Sequence, residues 1–184
     1  MSDQAASHGG AHEQAYALVT PRLRLRALSL DEVRLAMRGD RAALGARLGA
    51  AVPLDWPGAN LATGLPEIAA EMAARGGDER WVWVVIEPAT GAVAGDVGFH
   101  SPVRGVPSVE LGYVILPPYR GRGYATEATG ALASWALTQP GVERVILLIA
   151  PENAASLRVA AKLGMREVPS AEPAYRCFER RREA

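Results

Sequence analysis

The fold of this chain is decided by one stretch, Leu116-Pro-Pro-Tyr-Arg-Gly-Arg-Gly-Tyr-Ala-Thr-Glu-Ala128. An apolar run from Val109 to Leu116 precedes the proline pair and is typical of a buried β-strand. A helical pattern follows the glycines, with apolar residues recurring on one stripe: Ala125, Ala128, Leu132 and Trp135. The stretch therefore predicts a strand, a tight turn and a helix in direct succession.

The turn Arg120-Gly-Arg-Gly123 favours an anion. The start of a helix presents N–H groups without intrahelical partners, together with the positive end of the helix dipole. The turn lacks the Gly-Lys-[Ser/Thr] ending of a P-loop, and it lacks the third glycine of the dinucleotide fingerprint. A phosphate or pyrophosphate is the expected ligand, and a plain connecting turn is the alternative.

Composition limits the kind of protein. The chain has 184 residues, of which 49% are hydrophobic and 22% charged, enough for one domain with its own core. Twenty basic and twenty acidic side chains cancel, so no nucleic-acid or membrane partner is expected. A single cysteine, Cys177, and the absence of any apolar run of eighteen residues predict a cytoplasmic protein without a disulfide.

Residues 1–15 are polar and rich in glycine and alanine, which predicts a flexible leader before a single domain at 16–184. His8 and His12 are spaced like a helical metal pair. Gly9-Gly10 lies between them and no further ligand is near, so no metal is predicted.

The first half of the domain predicts a strand and three helices. Leu18 to Leu28 alternates between apolar residues and arginines, as in a half-buried strand. Ser29 caps a helix and forms a capping box with Glu32. A second helical piece covers Arg41 to Ala50, and Pro66 suits the first turn of a third helix.

The second half predicts a mixed sheet. Three runs form an antiparallel meander: Trp81 to Ile86, Val93 to Phe99, and Val109 to Leu116. A helix from about Gly123 to Leu137 and a buried strand from Val145 to Ala150 predict a right-handed crossover between parallel strands. Asn153 caps a last helix. A final strand, Tyr175 to Phe178, precedes a solvated charged tail, Glu179 to Ala184, and Arg176 is expected to be solvated with the arginines of that tail.

With Arg120-x-x-Gly123-x-Ala125 and Asn153-x-x-Ser156 both present, the sequence resembles the GNAT superfamily of acetyl-CoA-dependent N-acetyltransferases from about Thr20 to Phe178. One branch is most similar, the bacterial enzymes that acetylate ribosomal-protein N-termini. The stretches that carry this similarity are Leu23-Arg-Leu-Arg26, Glu110-Leu-Gly-Tyr-Val114 and Asn153-Ala-Ala-Ser-Leu157 with Lys162-Leu-Gly-Met165.

The resemblance implies an α/β (α+β) fold with a mainly antiparallel sheet, splayed at its centre, and helices on both faces. It implies acetyl-CoA as co-substrate, no metal, direct acetyl transfer to the primary amine of a protein N-terminus or small molecule, and pairing of two subunits. A non-catalytic acyl-CoA sensor or interaction module on the same fold is the alternative, and an unrelated phosphate-binding protein is a third.

The resemblance also assigns the coenzyme site. Backbone N–H groups from Arg120 to Ala125 wrap the pyrophosphate, Asn153 contacts the coenzyme, and pantetheine bonds to free backbone groups near Val114 and Leu116. The full predicted set is Val114, Leu116, Arg120, Gly121, Arg122, Gly123, Tyr124, Ala125, Asn153 and Ser156.

Glu110 is the predicted general base, because a carboxylate in an otherwise apolar strand needs a reason. It acts directly or through water. The alternative is a salt bridge to Arg104 or Arg24.

Ser156 is the predicted proton donor to the departing sulfur, and a neutral first-turn serine is the alternative. Elsewhere in the superfamily a tyrosine acid often lies seven residues after the asparagine, where this chain has Ala160. Three tyrosines are weaker alternatives: Tyr113, Tyr119 and Tyr124, the last expected to pack at the helix start.

Trp81 and Trp83, in the apolar run Trp81 to Ile86, could line an acceptor pocket, but core packing is the expected role for them and for Cys177. Trp56, on a loop, is a candidate for lining the acceptor pocket, whose specificity is expected to lie between Ser29 and Gly77.

Overall fold

The computed structural model describes residues 16–77, 81–100, 103 and 105–183. The predicted leader, with His8 and His12, lies outside the described residues. The strands of the described part are β1 Ala17–Val19, β2 Arg24–Ala27, β3 Val82–Glu87, β4 Ala92–Phe99, β5 Ser108–Ile115, β6 Arg144–Ile149, β7 Arg166–Val168 and β8 Arg176–Arg181. Its α-helices are α1 Leu30–Met37, α2 Arg41–Leu48, α3 Ala59–Ala74, α4 Tyr124–Leu137 and α5 Ala154–Lys162.

The strands form one sheet in the order β1-β2-β3-β4-β5-β6-β8-β7. Neighbours are antiparallel except β5 and β6, which are parallel and joined through α4. The predicted meander, crossover and mixed sheet are confirmed.

Each face of the sheet has its own apolar core. Trp83 is fully buried on the face covered by α4 and α5, with its ring centroid 5.0 Å from that of Trp135. Trp56, Leu65 and Met72 are buried on the opposite face, under α1 to α3. Because side chains alternate along a strand, one central sheet supplies both cores, and the prediction of helices on both faces is confirmed.

The sequence predicts helix caps correctly where the interacting residues are close together in the chain. Ser29 Oγ accepts a hydrogen bond from Glu32 N at 3.3 Å, and Glu32 Oε2 accepts one from Ser29 N at 2.9 Å. The predicted capping box is confirmed. None of the helices in the described part is long and apolar enough to cross a membrane.

Two predicted boundaries are wrong. The strand expected from Leu18 to Leu28 is two strands, because the chain turns at Pro21, which has no N–H to donate to a ladder. Helix α3 begins at Ala59 and contains Pro66 in its interior. Burial of Leu65 and Met72 on one stripe, at about 1.5–3 kcal/mol each, outweighs the roughly 3 kcal/mol cost of an interior proline.

The prediction of a solvated tail from Glu179 is also wrong, because β8 continues to Arg181. Glu179 is buried and contacts the guanidinium groups of Arg144, Arg166 and Arg181. Hydrogen bonds from Arg181 and Arg166 lower the pKa of Glu179 to about 2, against the opposing effect of burial.

The other arginines assigned to the solvated end of the chain also have partners. Arg176 forms an ion pair with Glu167, Nη2 to Oε2 at 2.7 Å, and Arg182 donates to Gln139 O. The short strand β7, which pairs with β8, was not predicted.

Candidate active site

Strands β5 and β6 separate halfway along their length. Their described ladder consists of three pairs, Ser108–Arg144, Val109–Val145 and Glu110–Ile146. Beyond these pairs β5 continues to Ile115 against β4 alone, and β6 continues to Ile149 against β8 alone. A gap therefore opens between the second halves of two parallel strands, as the resemblance implied.

The hydrogen bonds between β5 and β4 show in which direction each backbone N–H and C=O group of β5 points. Glu110 O accepts from His100 N at 3.1 Å, and Leu116 N donates to Ala94 O at 2.9 Å. Backbone groups alternate in direction along a strand, so those of Gly112 and Val114 also point towards β4.

The backbone groups that point into the gap are those of Tyr113 and Ile115. The prediction of free groups at Val114 and Leu116 is therefore wrong by one residue, and at Leu116 both groups are used, since its carbonyl accepts from Tyr119 N. The Ile115 carbonyl accepts from Arg120 Nε at 2.8 Å, which ties the following turn to the end of β5.

The turn after β5 has the geometry of an anion site. Gly121 and Gly123 have φ of 75° and 82°, in the left-handed region that favours glycine. Gly123 is the N-cap of α4 and has no side-chain cap. The N–H groups from Gly121 to Ala125 donate to none of the described residues, whereas Arg120 N donates to Pro117 O. These open amides fit a diphosphate.

A cluster of side chains fixes this turn through hydrogen bonds. Glu87, at the end of β3, accepts hydrogen bonds from the Tyr124 hydroxyl and from Arg122 Nη1. The Tyr124 bond is the main cause that lowers the pKa of Glu87, and the same bond raises the pKa of Tyr124. Arg22 donates to Arg122 O at 2.7 Å and lies 5.0 Å from the Tyr124 ring centroid. Tyr124 is buried, so only its backbone faces a coenzyme.

Two candidate proton donors meet at the gap. Asn153 Oδ1 accepts from Ser156 N at 3.1 Å, so its N-cap role is confirmed and Ser156 is fixed in the first turn of α5. The Tyr113 hydroxyl is buried and has no hydrogen-bond partner among the described residues. Burial raises the pKa of Tyr113, and the neighbouring Ser156 opposes that rise. The structure therefore places Tyr113, a weaker candidate from sequence, beside Ser156.

Glu110 lies at the last pair of the β5–β6 ladder. Its Oε1 is 3.3 Å from Nδ1 of His100, a residue that the sequence did not single out. The alternative partner Arg24 instead donates to Leu48 O, and Arg104 lies outside the described residues. The Glu110 side chain is 27% exposed and the His100 side chain 62%.

A cavity of about 620 Å³ opens on the α1–α3 face, between α3 and strands β4 and β5. Trp81 lines it. Trp56, the predicted lining residue, is instead fully buried behind the cavity wall. Gly112, Tyr113 and Val114 contribute to the wall, so the cavity reaches the open half of β5.

Asp96, on β4, also lines the cavity and was missed by the sequence reasoning. It is 7% exposed, and its Oδ2 accepts from Trp56 Nε1 at 3.0 Å. Burial raises the pKa of Asp96 to about 7, although the Trp56 bond opposes the rise. A lone carboxylate inside the apolar run Val93–Phe99 was the available signal, the same one that identified Glu110.

A central sheet that opens between parallel strands beside an uncapped helix start is the arrangement that the resemblance implies for an acyl-coenzyme A-dependent transferase. The sequence model of the Acetyltransferase (GNAT) domain matches residues 22–166. The chain belongs to the GNAT acetyltransferase family and is an acetyl-CoA-dependent N-acetyltransferase.

Relatives support this placement. The uncharacterized N-acetyltransferase YjdG of Bacillus subtilis is 25% identical over 148 residues, covering 80% of this chain and 88% of YjdG. The ribosomal-protein-S5-alanine acetyltransferase from Vibrio fischeri superposes with a TM-score of 0.60 at 14% identity, covering 91% and 97% of the two chains. Mycobacterium smegmatis RimJ in complex with CoA-disulfide gives 0.54 at 20% identity, covering 86% and 81%.

Proposed function

We propose that this enzyme transfers acetyl from acetyl-CoA directly to a primary amine, without a covalent enzyme intermediate. One observation carries the proposal: the open half of β5 adjoins both an anion-binding turn and a separate cavity. A diphosphate on the turn directs the pantetheine arm into the gap, along the backbone groups of Tyr113 and Ile115. The amine reaches the same place from the cavity side, so the two substrates meet without exchanging positions.

The chain's own groups suit the proton transfers. An amine attacks only when neutral, so a carboxylate must accept its proton, and Glu110 is one candidate, directly or through water. The departing thiolate needs a hydrogen-bond donor. Ser156 and the Tyr113 hydroxyl lie together at the gap, and burial raises the pKa of Tyr113 above its ordinary value, which is already far above neutral pH.

The acceptor is a protein N-terminus or a small-molecule amine. Likeness to the S5-alanine acetyltransferase supports the first, and a cavity of about 620 Å³ is large enough for either. We also propose a cytoplasmic enzyme whose subunits pair. Sedimentation velocity over a range of concentrations tests the pairing, and cell fractionation tests the location; a constant monomer or a membrane-bound pool contradicts them.

Calorimetry with acetyl-CoA, followed by thiol release and product mass in a panel of peptides and small amines, tests the function. We expect saturable binding, competition by desulfo-CoA but not by ATP, and a product heavier by one acetyl group. A folded sample that does not bind acetyl-CoA overturns the proposal.

A further inference from the structure

Among the described residues that line it, the cavity beside β5 has acidic but no permanently basic side chains, and one of these acids, Glu71, is paired with Arg75, Oε2 to Nε at 3.4 Å. The cavity wall includes the carboxylates of Asp96, Glu67 and Glu71, and no lysine or arginine is among the described residues that line it. The remaining wall is largely apolar: Leu61, Ile68, Trp81, Val82 and Phe99. A pocket of this composition concentrates cations and disfavours anions.

Asp96 is the buried carboxyl of that wall, and it is only half satisfied. Oδ2 accepts from Trp56, while Oδ1 makes no hydrogen bond to any described residue. Oδ1 is not among the fully enclosed side-chain oxygens that lack a partner, so it keeps access to the cavity and can accept a hydrogen bond from a group bound there. A group that serves only packing does not need this arrangement, whereas a group that receives a donor from the cavity does.

Asp96 is also better placed than Glu110 for the chemistry. It is the register partner of Val114, in the half of β5 that has separated from β6. Glu110 lies four residues earlier, about 13 Å along the strand at roughly 3.3 Å per residue, where the ladder is still closed. Asp96 is one strand spacing, about 4.8 Å, from the gap-lining strand, and its side chain shares the cavity face with Val114.

Resting on the function proposed above, we propose that Asp96 binds the ammonium group of the acceptor and takes its proton, and that the acceptor is a cationic amine without an acidic group. In this step the N–H proton passes to the carboxylate. The nitrogen lone pair forms the new N–C bond, the C–S bond breaks, and its electron pair leaves with sulfur. The nitrogen still carries a second proton that the amide must lose, and this proton passes to the thiolate, either through the Tyr113 and Ser156 hydroxyls or through water. Asp96 then returns its own proton to water.

The protonation behaviour of the carboxyl fits this role. A group with a pKa of about 7 exchanges protons readily at neutral pH, as a general base must. The other ionisable side chains of the described lining are Glu67 and Glu71 on α3 and His100, directly after β4. Tyr113 contributes to the wall from β5, but its ring packs on the opposite face of the sheet.

Matched acceptors test the substrate class. Cadaverine and 5-aminopentanoate have the same chain length and differ in a second ammonium or a carboxylate. Hexapeptides beginning Ala-Lys and Ala-Asp form the corresponding peptide pair. We expect the cationic member of a pair to have at least a ten-fold higher kcat/KM. Equal rates for both members contradict the inference.

Asp96→Asn, Asp96→Glu, Glu110→Gln and the control Asp55→Asn test the role of Asp96. Asp55 is exposed and adjoins Trp56. On the better acceptor, Asp96→Asn should lower kcat/KM about 100-fold or more and leave the affinity for acetyl-CoA unchanged. The acidic limb of the pH–rate profile, which is the fall of kcat/KM below about pH 7, should disappear in this variant. Asp96→Glu should restore part of the rate, and Glu110→Gln should retain the limb.

The outcomes separate the two proposals. If Asp96→Asn keeps both rate and limb, or if Glu110→Gln is the variant that loses the limb, Asp96 is not the base although the enzyme acetylates amines. If the folded wild-type protein does not bind acetyl-CoA, the proposed function fails, and the role of Asp96 fails with it. If it binds acetyl-CoA and acetylates amines of the wider panel but none of the four probes, the cationic acceptor class is contradicted while the transferase function stands. If Asp96→Asn does not fold, Asp96→Glu, which keeps the charge, still tests the role of Asp96 through its rate and its pH–rate profile.

Discussion

Trp56 donates its indole N–H to the Asp96 carboxyl at 3.0 Å, joining the loop before α3 to the middle of β4. This is the one hydrogen bond to that carboxyl from the described residues, and it opposes the rise in pKa that burial causes.

Trp56→Phe should therefore raise the pKa of Asp96 further and move the acidic limb of kcat/KM above pH 7. The pH–rate profile measures the shift. Trp56→Phe also removes packing, so thermal unfolding is recorded in parallel. A lower midpoint with an unmoved limb would mean that Trp56 serves packing alone.

Gly123→Ala should weaken acetyl-CoA binding about ten-fold. A side chain at φ 82° costs roughly 1–2 kcal/mol, which favours a shift of the turn, whereas the added Cβ would meet only Arg22 Nη2, at an ordinary contact distance of 3.4 Å. Gly39→Ala is the matched control, since Gly39 has φ 67° and open space around its Cβ after α1. Calorimetry should show both variants destabilised but only the first impaired in coenzyme binding; equal affinities would remove the turn from the coenzyme site.

Tyr113→Phe should lower kcat about ten-fold or more while leaving the free protein as stable or more stable. The hydroxyl is enclosed and has only the neighbouring Ser156 as a weak partner among the described residues, so phenylalanine keeps the packing of the ring and gives up little hydrogen bonding. Ser156→Ala and the double variant, assayed alongside, show whether the two hydroxyls act on the same step. An unchanged kcat for Tyr113→Phe would assign the hydroxyl no part in the reaction.

Glu179 predicts a specific loss of stability in acid. Its folded-state pKa of about 2 lies below the ordinary 4.5, so the unfolded chain binds the proton first. The stabilisation is complete above about pH 4.5 and is lost as the pH falls towards 2. Glu179→Gln should lower the thermal midpoint at neutral pH and flatten its dependence between pH 4.5 and 2. Glu183→Gln, which removes an exposed carboxylate, should change neither.

The features that sequence predicted correctly are those whose chemistry is contiguous. Ser29 and Glu32 lie three residues apart, as do Asn153 and Ser156, and the glycine turn between β5 and α4 occupies a few consecutive residues. In each case the capping or turn geometry follows from neighbouring side chains, so no knowledge of the rest of the fold is required.

The features that it missed depend on distant partners. Asp96 finds Trp56 forty residues away, and Glu179 is buried by arginines from three strands. The backbone groups of the gap were placed one residue too late, because their direction depends on which β5 residues bond to β4. The sequence of a strand does not by itself determine which alternate residues direct their backbone groups towards a given neighbouring strand.

The proposed function places the two substrates on separate parts of the chain. The diphosphate turn is the junction of β5 and α4, whereas one wall of the acceptor cavity is α3, encoded more than forty residues earlier. Exchanging 59–74 for the equivalent helix of a relative should thus redirect the enzyme to another amine while leaving its thioester donor in place. A scaffold divided in this way lets acceptor preference diverge among paralogues without rebuilding the machinery that they share.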